Sequence, residues 1–195
     1  MVSMITNFRS ASKKVLRPLA YALVRAGLTG NQVTALGLLT SFIYLLVILL
    51  TKNVLLSAVL LSISSLLDAL DGEVARMRGS AGPRGSFLDS TFDRIEDTVF
   101  ISSLVLLGFH PLLTSLLVGV TLTISYLRAK AESLGIKAEG RGLVERGERL
   151  ILVFLILVLY PFFFDASLAL YYLLLLGSLA TVVQRFHLIF SAVPK

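Results

Sequence analysis

The sequence predicts an all-α integral membrane protein: six transmembrane helices behind an N-terminal interfacial amphipathic helix, with both termini cytoplasmic. Three observations predict this. Apolar residues fill 56% of the 195 positions and the mean hydropathy is +0.87, whereas a soluble domain is about 45–50% apolar. Six apolar segments, approximately 31–51, 54–75, 86–108, 111–128, 149–164 and 166–190, each approach the ~20 residues that a spanning helix needs. Basic residues crowd alternate connections, as cytoplasmic loops do. The length suits one domain over 1–195, with a juxtamembrane helix at 1–28 and a six-helix bundle at 29–190.

Residues 4–25 set Ile5, Phe8, Val15, Leu16, Leu19 and Leu23 among Arg9, Lys13, Lys14, Arg17 and Arg25 at roughly helical spacing. Pro18 interrupts the pattern and no apolar core follows the charges, so an interfacial helix is expected rather than a cleaved signal. The fifth span is the shortest and is expected to begin a few residues before 149. The even connections and both termini hold most of the cations, including Arg76, Arg78, Arg84, Arg128, Lys130, Lys137, Arg141, Arg146, Arg149 and Lys195. The other side has Lys52 with His110 and Asp165, in three short connections. This asymmetry puts the basic loops in the cytoplasm, which implies a protein of the cell (plasma) membrane whose working face is cytoplasmic. No internal repeat suggests an inverted-repeat transporter.

Composition narrows the chemistry. There is no cysteine, and the two histidines, His110 and His187, are far apart. Any metal must therefore be held by oxygen, which favours Mg²⁺, Mn²⁺ or Ca²⁺. The net charge of +6 lies beside apolar spans and without aromatic–basic interleaving. It suits anionic lipid headgroups or anionic substrates, not nucleic acid.

The stretch "LLDALDGEVARMRGSAGPRGSFLDSTFDR", residues 66–94, places Asp68, Asp71, Asp89 and Asp93 where hydrocarbon is expected. Asp68 lies about 21 Å along its helix from Val54, and Asp93 about 27 Å from Pro111. In an apolar layer about 30 Å thick both fall near the cytoplasmic boundary. Asp68 and Asp71 (i, i+3) share a helix face, as do Asp89 and Asp93 (i, i+4). Short connections make the second and third spans expected neighbours, so the two pairs can converge between them. Four converging carboxylates need neutralising cations. Two divalent ions would suffice, an arrangement that clamps both sides of a phosphoryl displacement. Gly72, Ala75, Gly79, Gly82 and Gly85 leave room for a ligand, and Arg76 and Arg84 offer charge to phosphate. The plainer alternative is that the aspartates cap helices or pair with Arg76, Arg78, Arg84 and Arg94. Acids are costly at this depth, so four together favour function.

The pattern D68-x2-D71-G72-x2-A75-R76-x8-G85-x3-D89-x3-D93 resembles the signature of the CDP-alcohol phosphatidyltransferases, integral enzymes that displace CMP from a CDP-linked donor with an acceptor alcohol. The resemblance implies that Asp68, Asp71 and Asp89 bind Mg²⁺ or Mn²⁺, with two ions expected. Asp93 would join them and act as general base on the acceptor hydroxyl. Gly72, Ala75 and Gly85 would let the cytidine nucleotide pack closely, and Arg76 would support the aspartates and phosphates as part of the catalytic set. "LTGNQVTALG" resembles the family's entry to the first helix, which implies nucleotide contacts at Asn31 and Thr34. The resemblance also implies a homodimer.

Residues 125–151, "SYLRAKAESLGIKAEGRGLVERGERLI", and a late "QR" at 184–185 resemble the family's inositol-phosphate branch, the phosphatidylinositol-phosphate and archaetidylinositol-phosphate synthases. By that resemblance Arg128, Arg149 and Arg185 grip the acceptor phosphate and Glu145 and Glu148 orient them. Arg128 stands where the branch often has Lys, and Lys130 where Arg is usual. An isolated Arg185 within the last span needs a partner or an aqueous cavity in any case. Lys137, Arg141 and Arg146 read instead as topology signals touching lipid headgroups. Glu96 and Asp97 are expected to pair with Arg94 or to support the metal ligands. Tyr126, Tyr160, Tyr171 and Tyr172 read as packing or interface anchors.

The reaction implied is transfer of a diacylglycerol- or archaeol-phosphate group from a CDP-linked lipid to inositol 1-phosphate. Alternatives within the family are a CDP-inositol donor, giving di-inositol phosphates, and a glycerol 3-phosphate acceptor. A cation transporter is the distant alternative. It predicts acids spread across the bilayer, and here they gather at one end.

Overall fold

In the computed structural model, residues 16–137, 140 and 142–193 are described. Most of the expected interfacial helix, Arg141 and Lys195 lie outside the described residues. Among the described residues there is no strand. A helix at 16–25 (α1) is followed by α2 (Gly30–Thr51), α3 (Val54–Met77) and α4 (Pro83–Ser102), which runs into a 3₁₀ turn (Ser103–Leu107). Then come α5 (Pro111–Ser133), α6 (Arg146–Leu159) and α7 (Phe164–Ala192).

Local chemistry sets these boundaries. Thr29 and Gln32 form a capping box ahead of α2, with the Thr29 N–H donating to Gln32 Oε1 at 2.8 Å. Asn53 Oδ1 accepts from the Leu56 N–H at 3.0 Å to start α3. Pro83 and Pro111 occupy the first turns of α4 and α5, where a missing N–H costs nothing. Glu145 and Glu148 form the box that starts α6. That helix begins at Arg146, earlier than 149 as expected, and ends at Leu159, short of the expected 164.

Among the described residues four helices, α2, α3, α5 and α7, are long and apolar enough to cross a membrane. α4 has 20 residues but carries Arg84, Asp89, Asp93, Arg94, Glu96 and Asp97. α6 has 14 residues and spans only about 21 Å.

The helices α2, α3, α6, α7, α5 and α4 follow one another around a closed ring, each packed on the next. Tyr44, Phe100, Leu104, Leu117, Ile156 and Leu174 fill its axis, all nearly or fully buried. Polar bonds tie neighbouring helices within this apolar interior, as bilayer-embedded bundles do. Tyr44 Oη lies 2.6 Å from Ser103 Oγ and Thr114 Oγ1 lies 3.0 Å from Tyr171 Oη. Ser64 Oγ donates to the Gly37 carbonyl at 2.9 Å. α1 lays Ala20 and its flanking Leu16, Leu23 and Val24 against Val33, Leu70 and Val74.

One expectation about packing is corrected. The second and third spans, α3 and α4, are sequence neighbours but barely touch, because α2 packs extensively on both and stands between them. Gly37 makes this arrangement compatible with a shared site. A Cβ there would fall 2.7 Å from Asp68 Oδ1 and 3.3 Å from Glu96 Oε1. The bare glycine lets carboxylates from α3 and α4 meet across the face of α2.

Candidate functional site

The charged end of the ring is built from the start of α2, the end of α3, the start of α4, the end of α5, the start of α6 and the last turns of α7. A cleft there is lined by Gly30, Asn31, Thr34, Asp71, Gly72, Ala75, Arg76, Gly85 and Asp89, closed by the turn through Ser80, Ala81 and Gly82. Every residue expected to touch the nucleotide, namely Asn31, Thr34, Gly72, Ala75, Arg76 and Gly85, therefore faces one space. α2 and α3 cross closely beneath it: a Cβ on Gly30 would meet Ala75 Cβ at 2.8 Å. Thr34 Oγ1 donates to Asp71 Oδ2 at 2.7 Å and orients that carboxylate toward the cleft. Arg76 stands at the rim and pairs with Glu73 at 2.7 Å.

The four aspartates divide into two settings. Asp71 and Asp89 line the cleft, whereas Asp68 and Asp93 turn to a buried cluster with Glu96. Oxygens of Asp68, Asp93 and Glu96 all lie within 4.8 Å of one another, close enough to share one ion. The donors are hard carboxylate oxygens, suited to Mg²⁺ or Mn²⁺. Glu96 is fully buried, and its Oε1 has no hydrogen-bond partner. No N–H or hydroxyl reaches it and its neighbour is the Asp68 carboxylate, so the two acid groups call for a positive charge between them, which a bound cation would supply. The residues present fit a divalent ion.

Arg146 is the residue that sequence reasoning misplaced. It does not lie among lipid headgroups; its guanidinium enters the carboxylate cluster. Its Nη2 is 2.8 Å from Asp68 Oδ2 and 2.9 Å from Glu96 Oε2, its Nη1 is 2.8 Å from Asp93 Oδ1, and its Nε is 3.5 Å from Asp97 Oδ1. A helix-start arginine and a loop arginine look alike in a basic segment. The available signal was spacing: Arg146 and Arg149 (i, i+3) share one face of α6, opposite a third span that carries four acids. Glu96 and Asp97 pair with Arg146 and Arg149, not with Arg94, which contacts Asp93 at 3.2 Å.

The three arginines expected at the acceptor occupy two places. Arg149 is buried and donates to Asp97 Oδ2 at 2.7 Å. Arg185, 1% exposed, donates to Glu145 Oε1 at 2.6 Å and to the Ile124 carbonyl at 2.8 Å. These two meet at the α6 start, where Glu145 orients Arg185 as expected. Arg128 lies on α5, pairs with Glu132 at 2.9 Å and lines a second cavity with Asp89, Ser90, Arg94, Ser125 and Tyr126. Both cavities share Ser86 and Asp89. The loop before α6 is docked on α7, with the Val144 N–H donating to Thr181 Oγ1 at 2.9 Å.

The pattern of the CDP-alcohol phosphatidyltransferase family matches residues 28–189. The archaetidylinositol phosphate synthase of Aeropyrum pernix is 45% identical over 129 residues, 66% of each chain. The phosphatidylinositol phosphate synthase of Mycobacteroides abscessus is 36% identical over 92% of this chain and 85% of its own. Among solved structures, phosphatidylinositol phosphate synthase of Mycobacterium tuberculosis with CDP-DAG bound superposes with a TM-score of 0.80 at 33% identity, covering 91% of this chain and 94% of that one. The same enzyme in complex with manganese and citrate gives a TM-score of 0.80 at 33% identity, covering 90% and 89%.

Proposed function

This chain belongs to the CDP-alcohol phosphatidyltransferase family, and from that membership we propose that it transfers the phosphatidyl-type group of a CDP-linked lipid to inositol 1-phosphate, releasing CMP. One observation carries the reading. The signature aspartates gather at the same end of the ring as the buried arginines Arg149 and Arg185, beside a cleft lined by the signature's small residues. The relatives named above are synthases of inositol phosphate lipids and differ in the lipid, archaetidyl or phosphatidyl.

The residues divide the work. The cytidine diphosphate end of the donor enters between Asn31, Thr34, Gly72, Ala75 and Gly85, with Arg76 at its phosphates. Arg149 and Arg185 hold the acceptor's phosphate by paired N–H donors, with Arg128 at the flank. Asp93 takes the proton from the acceptor hydroxyl as that oxygen attacks in line. Asp68, Asp71, Asp89 and Asp93 would hold the divalent metal, Mg²⁺ or Mn²⁺ and two ions in this reading, which would supply positive charge to the diphosphate.

The same reading takes all six ring helices through a cell membrane, with α4 and α6 sheltered by their neighbours, both termini and the site facing the cytoplasm, 1–195 as one domain and a homodimer as the assembly. The strongly one-sided basic loops support the orientation. The deciding experiment is CMP release by pure protein with Mg²⁺ and CDP-diacylglycerol or CDP-archaeol, against inositol 1-phosphate, glycerol 3-phosphate and free inositol. CMP release with inositol 1-phosphate alone is expected. Turnover preferring glycerol 3-phosphate, or a water-soluble product from CDP-inositol, refutes the assignment.

A further inference from the structure

The carboxylates around Arg146 carry cation contacts that compete with the proposed chemistry. Both oxygens of Asp93 are engaged, Oδ1 by Arg146 Nη1 at 2.8 Å and Oδ2 by Arg94 Nη1 at 3.2 Å. Asp68 Oδ2 is engaged by Arg146 Nη2. A guanidinium seated on these oxygens competes with a divalent ion for the same carboxylates, and the two cations would repel at that range. Asp93 is a weaker base while both its oxygens hold guanidinium N–H groups.

The same cluster contains a second seat for the guanidinium. Glu96 and Asp97 lie outside the signature, face Arg146 from α4 and are 0% and 3% exposed. The buried atoms here without hydrogen-bond partners include Glu96 Oε1, an acceptor, and Arg146 Nε, a donor, beside Arg149 Nε on the far side of Asp97. The arrangement that spreads Arg146 over four carboxylates thus leaves complementary groups unsatisfied. Closer pairing with Glu96 and Asp97 alone would satisfy them.

We propose that Arg146 is the resident counter-cation of this cluster, holding Asp68 and Asp93 while no divalent ion is bound and releasing them, with Glu96 and Asp97 retaining it, when one is. It is a positioning residue, since it acts through the carboxylates. The inference rests on the reading of these aspartates as metal ligands. It accounts for the two acids of α4, Glu96 and Asp97, that lie outside the signature.

The test is Mn²⁺ binding by the full chain in lipid nanodiscs, followed by the electron paramagnetic resonance signal of free Mn²⁺ and by the metal-induced rise in Tm. Arg146→Gln removes the competitor, so Mn²⁺ should bind at least about fivefold tighter. Its metal-free Tm should fall and its metal-induced rise should exceed that of wild type. Arg146→Lys, which keeps a charge that cannot serve four carboxylates together, should fall between and decides alone if the Gln variant does not purify. Arg78→Gln, which removes a charge at the same end where Arg78 donates to the Val24 carbonyl, should match wild type. Mn²⁺ binding by the Arg146 variants that is equal to or weaker than wild type overturns the proposal. A wild-type protein that binds no Mn²⁺ overturns the metal reading itself and the inference with it.

Discussion

Gly37→Ala is expected to destabilise the protein although it improves a helix. In a helix interior alanine is favoured over glycine by about 1 kcal/mol. At Gly37 the added methyl would fall 2.7 Å from Asp68 Oδ1 and 3.3 Å from Glu96 Oε1, and neither can retreat freely because Arg146 holds both. Overpacking of this kind costs about 1–3 kcal/mol, which leaves a net loss of roughly 1 kcal/mol. Gly119, on the exposed face of α5, has nothing within 4 Å of a built Cβ, so Gly119→Ala should gain up to about 1 kcal/mol. The pair should differ by roughly 2 kcal/mol, or about 4–8 °C in Tm for a chain of this size. Thermal unfolding of both variants in nanodiscs reads the difference, and CMP release reads the displacement of Asp68, which should lower kcat at least about tenfold. A Gly37→Ala protein as stable and active as Gly119→Ala would refute the claim that α2 is a wedge fitted between two sets of carboxylates.

Asp93→Asn should lower kcat by about 10²-fold or more, the usual worth of a positioned base, while CDP-lipid binding stays within about threefold; unchanged turnover removes Asp93 as the base. Arg185→Lys keeps the charge but loses one of the two directed contacts, to Glu145 or to the Ile124 carbonyl, so it should raise the KM for inositol phosphate about tenfold with little change for the donor. Thr34→Val leaves Asp71 without its 2.7 Å donor and should cost about 1–3 kcal/mol while raising the donor KM, as scanning calorimetry and initial rates will report. Dialysis against a chelator should abolish CMP release, and either Mg²⁺ or Mn²⁺ should restore it; activity that survives chelation ends the metal reading.

The positions legible in the sequence are those whose chemistry is local. Helical spacing brought the four aspartates to one end of their helices, although each expected pair divides between the cleft and the Glu96 cluster, and Gly72, Ala75, Gly82 and Gly85 line that cleft in the structure. Arg185 needed a partner, because a buried arginine does, and it has Glu145 and the Ile124 carbonyl. What stayed hidden depends on which helices touch. The order around the ring is set by packing of apolar faces, and no spacing announces that α2 separates α3 from α4. Arg146 was misread for the same reason: its role comes from two partner helices, α3 and α4, while its own segment shows only a basic loop. Glu96 and Asp97 were visible as acids, but their partners lie some 50 residues away on α6.

The filled axis of the ring has a consequence for traffic. Tyr44, Phe100, Leu104, Leu117, Ile156 and Leu174 close the far half, so the site is the bottom of a bowl with its mouth at the charged end. On this packing molecules reach the site from the charged end or between the helices, not along the axis. The nucleotide and its remnant are water-soluble and need the open mouth. The lipid donor and product have tails in hydrocarbon and need a gap between staves of the bowl. On that plan the two products part sideways and upward, and a new donor can slide in laterally before the acceptor arrives from above.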